Sequence, residues 1–153
     1  MPGGTLGRMD VRLRDVTEAD LDTFHEQECD PEAASRARWR PREREAFMAH
    51  WKANVLGDPG CLVQAVTVDG ALAGNVVAWW HGERRFIGYW LGREFWGRGV
   101  GTLALTRFLE LERERPLHAD PHEGNAGSVR LLERCGFRRT GTDPDGHVML
   151  VLS

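Results

Sequence analysis

Three glycines at alternating positions, Gly97, Gly99 and Gly101, stand between the β-prone run Phe86-Ile87-Gly88-Tyr89-Trp90-Leu91 and an apolar-periodic run that opens at Val100 and Leu103. The chemistry this spacing suits is anion binding. Glycine lets the backbone adopt positive φ and approach a ligand closely. The first turn of the helix that follows has unpaired N–H groups at the positive end of its dipole. Arg98, inside the loop, adds a charge suited to phosphate. Phe95-Trp96-Gly97-Arg98-Gly99-Val100-Gly101-Thr102 therefore reads as a phosphate cradle, with a glycine turn chosen only for chain geometry as the competing reading. It is not a dinucleotide fingerprint, which would need glycine where Thr102 stands, nor a P-loop, since no Gly-Lys-Ser/Thr ending follows.

Other reactive side chains are more scattered. Ser128 opens a later helical run without the G-x-S-x-G surroundings of a nucleophile elbow, so covalent serine chemistry is discounted. His118, Asp120 and His122 alternate along an extended segment interrupted by Pro121, a weak metal pattern, and no metal is expected. Trp39 and Trp79 are candidates to line an acceptor pocket. Cys29, Cys61 and Cys135 are widely spaced and form no C-x-x-C, which argues against a disulfide framework and for the reducing cytoplasm. The formal net charge of −3 lacks the footprint of generic nucleic-acid binding. No apolar run reaches the roughly 20 residues that span a bilayer, and the N-terminus has no signal-peptide core.

The elements that must position these groups follow from periodicity. Residues 1–8 are Gly-rich and expected to be flexible, and 9–153 is expected to form a single domain. Val11–Arg14 alternates as a strand. Thr17 and Asp20 suit a helix start whose buried stripe, Leu21 and Phe24, ends at Glu28, with Asp30-Pro31 as its stop. A loop or short helix through Arg40 precedes a helix with Pro41 at its first position and Phe47, Trp51 and Val55 on one face. Asp69-Gly70 joins strands Cys61–Val68 and Ala71–Trp80 as a hairpin, and His81–Arg84 turns into strand Arg85–Leu91. Val100, Leu103, Ala104, Phe108 and Leu111 form the stripe of the helix after the glycines. Strand Leu117–Asp120, a helix ending at Gly136, and the hairpin Phe137–Gly141 with His147–Leu152 complete the order βααβββαβαββ.

Ile87-Gly88-Tyr89-Trp90-Leu91 with Phe95–Thr102 resembles motif A of the GNAT N-acetyltransferases, and Asn125-Ala126-Gly127-Ser128-Val129-Arg130-Leu131-Leu132-Glu133-Arg134-Cys135-Gly136-Phe137 is similar to their motif B. The form resembles the branch that includes ribosomal-protein N-terminal acetyltransferases, in which Trp96 replaces the Gln or Arg of many members. The resemblance covers about residues 9–142. It implies an α/β GNAT fold, a mixed, mostly antiparallel sheet with helices on both faces. It implies acetyl transfer from acetyl-CoA to a primary amine by direct attack in a ternary complex. The backbone of Trp90 and Leu91 would pair with the pantetheine arm. The N–H groups of Trp96, Gly97, Arg98, Gly99, Val100, Gly101 and Thr102 would hold the pyrophosphate. Asn125 would contact the cofactor arm or brace the gap between strands, and it equally suits an N-cap. Ser128 matches the general-acid position of the branch; a serine hydroxyl is a poor acid, so hydrogen bonding to the leaving sulfur is the safer role. Glu83, just outside the strand before the loop, and Glu28 are the two candidate bases. The acceptor is a small-molecule or peptide amine, with neither nucleic acid nor membrane as partner and a homodimer allowed. The alternative is a non-catalytic acyl-CoA sensor or docking module.

Overall fold

A computed structural model describes residues 9–153, so the expectation for residues 1–8 lies outside the described residues. The strands are β1 (Val11–Arg14), β2 (Leu62–Val68), β3 (Ala71–His81), β4 (Arg84–Leu91), β5 (Leu117–Ala119), β6 (Arg138–Thr142) and β7 (Val148–Leu152). The α-helices are α1 (Leu21–Glu28), α2 (Pro31–Ala37), α3 (Arg44–His50), α4 (Val100–Leu111) and α5 (Ala126–Arg134), with a wider π-turn, Trp51–Val55, continuing α3. One seven-stranded sheet runs β1-β2-β3-β4-β5-β7-β6.

The hairpin turns obey the residue chemistry. Asp69 and Gly70 both have positive φ, 50° and 85°, the requirement of a two-residue type I′ connection. Because side chains alternate across a strand, neighbours on β2 serve different cores. Ala65 packs with Leu21, Phe24, Phe47, Trp51 and Val55 beneath α1 and α3. Val66 faces the other way, into the cluster that α4 and α5 build with Val100, Leu105, Phe108 and Leu132. Helices thus cover both faces.

Among the described residues only β4 and β5 pair in parallel, and through just two rungs, Arg85 with Leu117 and Phe86 with His118. Beyond Phe86 the two strands part. At the root of this splay Arg85 donates from Nε and Nη2 to Glu112 Oε1 at 2.9 and 2.7 Å, with both side chains buried.

Three sequence expectations are corrected. Pro31 does end α1, but it also starts α2, because Asp30 caps that helix by accepting the Ala33 N–H at 3.0 Å and Pro suits the first turn. Three helices, not two, therefore lie between β1 and β2. α3 begins at Arg44 rather than Pro41, since its first helical bond runs from the Phe47 N–H to the Glu43 carbonyl. On α4, Leu103 and Leu111 are exposed and Leu105 is buried instead. The buried face is centred on Val100, Ala104 and Phe108, and Leu105 lies nearer to it.

Candidate active site

The splay opens a cleft of 780 Å³, the size of a small-ligand site. One wall is the freed part of β4, Gly88 to Leu91; the other is Ala119 to His122; the glycine loop and the first turn of α4 close one end. Helix α2 adds Ala33, Arg36 and Ala37 to the lining. Its Arg36 guanidinium sits 4.8 Å from the Trp96 ring, and its Arg36 carbonyl would be 3.5 Å from a Cβ on Gly124 in the opposite loop.

At the loop end, Gly97 and Gly99 have φ of 71° and 79°, which L side chains rarely adopt. Gly99 caps α4 without any side-chain hydrogen bond, so the first-turn N–H groups are left for a ligand. A Cβ on Gly101 would collide with Leu131 Cδ1, so this glycine lets α4 and α5 close on each other. Trp96 Nε1 donates to the Leu91 carbonyl at 3.1 Å and ties the loop to the strand end. The Trp90 indole turns away to donate to the Gln27 carbonyl on α1 at 2.9 Å, leaving its backbone in the cleft wall.

Trp90, Leu91, Trp96, Gly97, Gly99, Val100, Gly101, Thr102 and Asn125 all line the cleft. Arg98 does not. Its guanidinium lies 6.0 Å from the centre of the Phe95 ring, because the positive φ values on both sides turn residue 98 away from the cavity. The cations in the wall are Arg36, Arg130 and Arg134.

Ser128 also lines the cleft, one turn into α5. Asn125 caps that helix by accepting the Ser128 N–H at 3.4 Å. Ser128 Oγ is 2.6 Å from the hydroxyl of Tyr89, the sole tyrosine in the chain. Burial pushes the Tyr89 phenol well above its ordinary value, so it stays protonated as a donor.

Neither candidate base reaches this space. Glu28 is buried, accepts the Arg42 N–H at 3.0 Å through Oε2, and lies 3.7 Å from the Arg42 guanidinium. It anchors the chain entering α3 instead. Glu83 is exposed in the β3–β4 turn, six residues before Tyr89 and roughly 20 Å along the strand. The carboxylate that does line the cleft is Asp120, at the end of β5. Although Asp120 as a whole is exposed, partial loss of water around its carboxyl raises its pKa from the ordinary value, with nearby His147 opposing that shift. Trp79 and Trp39 line the same cavity, and Trp79 packs against Gly88, where a Cβ would lie 3.1 Å from its ring.

His118, Asp120 and His122 do not converge as metal ligands among the described residues. Asp143, Asp145 and His147 of the β6–β7 turn do lie together, but Asp143 is occupied within the turn by two backbone N–H groups and the His147 ring. Tyr89, Arg36 and His147 escaped sequence reasoning as site residues. From the sequence, Asp120 reads only as one of three residues in a weak metal pattern and as part of a discounted Ser-His-Asp set. Its position at the end of the strand flanking the splay was the available signal.

A parted parallel pair with a glycine-rich helix N-terminus at one end and a carboxylate at the other defines a site for a phosphate-bearing donor and a second substrate. The comparisons supply the class. The model of the acetyltransferase (GNAT) domain matches residues 10–138, and the chain belongs to this family of acetyl-CoA-dependent N-acetyltransferases. No curated protein matches the chain. Among solved structures, it is similar to aminoglycoside acetyltransferase AAC(6')-Ib in complex with coenzyme A, at 24% identity and TM-score 0.78, covering 94% of this chain and 95% of that one. It is also similar to spermidine N-acetyltransferase from Vibrio cholerae in complex with CoA and spermine, at 16% identity and TM-score 0.77, with 92% of each chain covered. A domain from Methanocaldococcus jannaschii is similar at 18% identity and TM-score 0.78, covering 95% of this chain and 99% of that one.

Proposed function

We propose that this chain acetylates a small cationic amine, with acetyl-CoA as donor, by direct attack in a ternary complex. The observation that carries the reading is the arrangement along the splay. Uncapped N–H groups of α4 stand at one end, free β4 backbone in the middle and Asp120 at the other. The pyrophosphate would lie against residues 96–102, and the pantetheine arm would run beside Trp90 and Leu91 like an added strand. Arg36, rather than Arg98, would supply side-chain charge to the phosphates.

The acceptor arrives as an ammonium ion and attacks as a free amine, so it must lose a proton. Asp120 is the group to take it, since its raised pKa brings it closer to the task than an ordinary carboxylate. Ser128, polarised by the Tyr89 hydroxyl at 2.6 Å, would hydrogen bond to the departing sulfur. Trp79 and Trp39 would line the acceptor's space, and the Trp39 ring already holds a cation, the Arg42 guanidinium at 4.9 Å. The kanamycin and spermine of the similar complexes are polycationic amines, which supports the same acceptor class.

A peptide N-terminus is the second reading, favoured by the resemblance of the Phe95–Gly99 and Asn125–Phe137 motifs to the ribosomal-protein branch. The test is thiol release from acetyl-CoA with kanamycin, spermine and N-terminal peptides. Turnover with the first two is expected. Turnover with peptides alone would overturn the acceptor class, and tight coenzyme A binding without any turnover would favour a sensor.

A further inference from the structure

Asp120 follows β5 in the cleft wall, where it is exposed; once donor and acceptor fill that space, the proton it receives needs a route by which it can leave. Resting on the acetyl-transfer reading above, we propose that His147, oriented by Asp143, relays the acceptor's proton from the cleft to solvent. His147 lies in the β6–β7 turn, yet it lines the cleft together with Asp120 and His122. The turn is pinned to the segment after Asp120 on both sides of His147. The Val148 N–H donates to the Pro121 carbonyl at 2.8 Å, and the Glu123 N–H donates to the Gly146 carbonyl at 2.8 Å.

The local chemistry fixes the ring. Asp143 Oδ1 accepts the N–H groups of Asp145 and His147 at 3.0 and 2.8 Å, and Oδ2 lies 3.2 Å from His147 Nδ1. Those backbone bonds hold the Asp143 carboxyl below its usual range, so it faces the ring as an anion and an acceptor. A neutral His147 therefore carries its proton on Nδ1, which leaves the Nε2 lone pair free. The neighbouring ring of His122, 5.7 Å away and edge-on, is set the other way. Its Nδ1 accepts the Gly124 N–H at 3.0 Å, so its neutral form carries the proton on Nε2. The other charged groups facing His147 are Asp145 in its own turn, and Glu123 and Asp120 in the packed segment. With 41% of its side chain exposed, His147 can pass a proton to bulk water.

The step balances. The acceptor ammonium gives its proton to Asp120, which hands it through solvent in the cleft to His147 Nε2. The freed amine forms the N–C bond as the C–S bond breaks. The proton that the acetylated nitrogen then loses passes to the departing thiolate, whose sulfur the Ser128 hydroxyl hydrogen-bonds, and His147 releases its own proton outside.

The experiment uses the full chain with acetyl-CoA and an amine that the wild type turns over. H147A and H147Q are expected to lower kcat about 10²-fold and to leave the KM for acetyl-CoA within about twofold. Added imidazole should restore H147A at least about tenfold, a gain that a merely structural role would not produce. Ring 15N NMR should show the Nδ1–H tautomer in the wild type and its loss in D143N, with kcat falling in parallel. Coenzyme A-induced thermal stabilisation, read on each variant, reports that it is folded. An unchanged kcat in H147Q, or a lowered kcat that imidazole does not rescue, overturns the relay alone. Absence of turnover by the wild type with every amine overturns the acetyl-transfer reading and the relay with it.

Discussion

The two ends of the cleft are built from different materials. The glycine-loop end is made of main chain, with turned glycines and the uncapped N-terminus of α4 carrying its chemistry. The far end is made of side chains, with Asp120 from β5, Ser128 from α5, Tyr89 from β4 and His147 from the β6–β7 turn. A main-chain site is rigid and recognises a feature every donor shares. A side-chain site changes by point substitution, so acceptor choice can vary while donor binding stays constant.

The largest expected effect comes at the root of the splay, on which both ends depend. E112A leaves the buried Arg85 charge without its partner and should cost about 3–5 kcal/mol of stability by chemical denaturation. Both ends should fail together. Next is G101V, whose side chain drives α4 away from Leu131. It should destabilise by about 1–3 kcal/mol and abolish the thermal shift produced by coenzyme A. Retained coenzyme A binding would break the distinction between the two ends.

D120N should act on the other end only. A fall of about 10²-fold in kcat/KM is expected, with coenzyme A affinity unchanged. Stability should move oppositely. The folded pKa of Asp120 is raised above the unfolded value, so the folded state holds the proton more tightly. This group's contribution to stability falls as pH rises from the unfolded value of about 3.9 to the folded one. D120N should therefore have the higher melting temperature at neutral pH, and the gap should close below about pH 4. The smallest effect separates two arginines. R98A should leave the KM for acetyl-CoA within about twofold, whereas R36A, removing a cation from the cleft wall, should raise it about fivefold or more. Equal effects would return the loop arginine to the phosphate site.

The same contrast explains what could be read from the sequence. The glycine loop, the Asp69-Gly70 hairpin and the β4–loop–α4 succession depend on local backbone chemistry, which residue type reports directly. Asn125 as a helix cap was legible for the same reason. Glu28 was placed well as the end of a buried stripe and misjudged in role, because its partner, Arg42, arrives from another segment. His147 met Asp120 only through the pairing of the β6–β7 turn with residues 121–123, a long-range contact with no local signature. Helix α2 is legible only as a loop or short helix, because Pro31 reads as a stop from one side and as a start from the other.

That helix has a kinetic consequence. With the Arg36 side chain on Trp96 and its carbonyl near Gly124, α2 touches both the glycine loop and the segment after Asp120, an arrangement that suits a donor seated before the acceptor. The end where we propose the acceptor carries the exposed turn around His147. Initial-rate patterns should accordingly show compulsory order, acetyl-CoA first on and coenzyme A last off. Random order would mean that α2 imposes no sequence on binding.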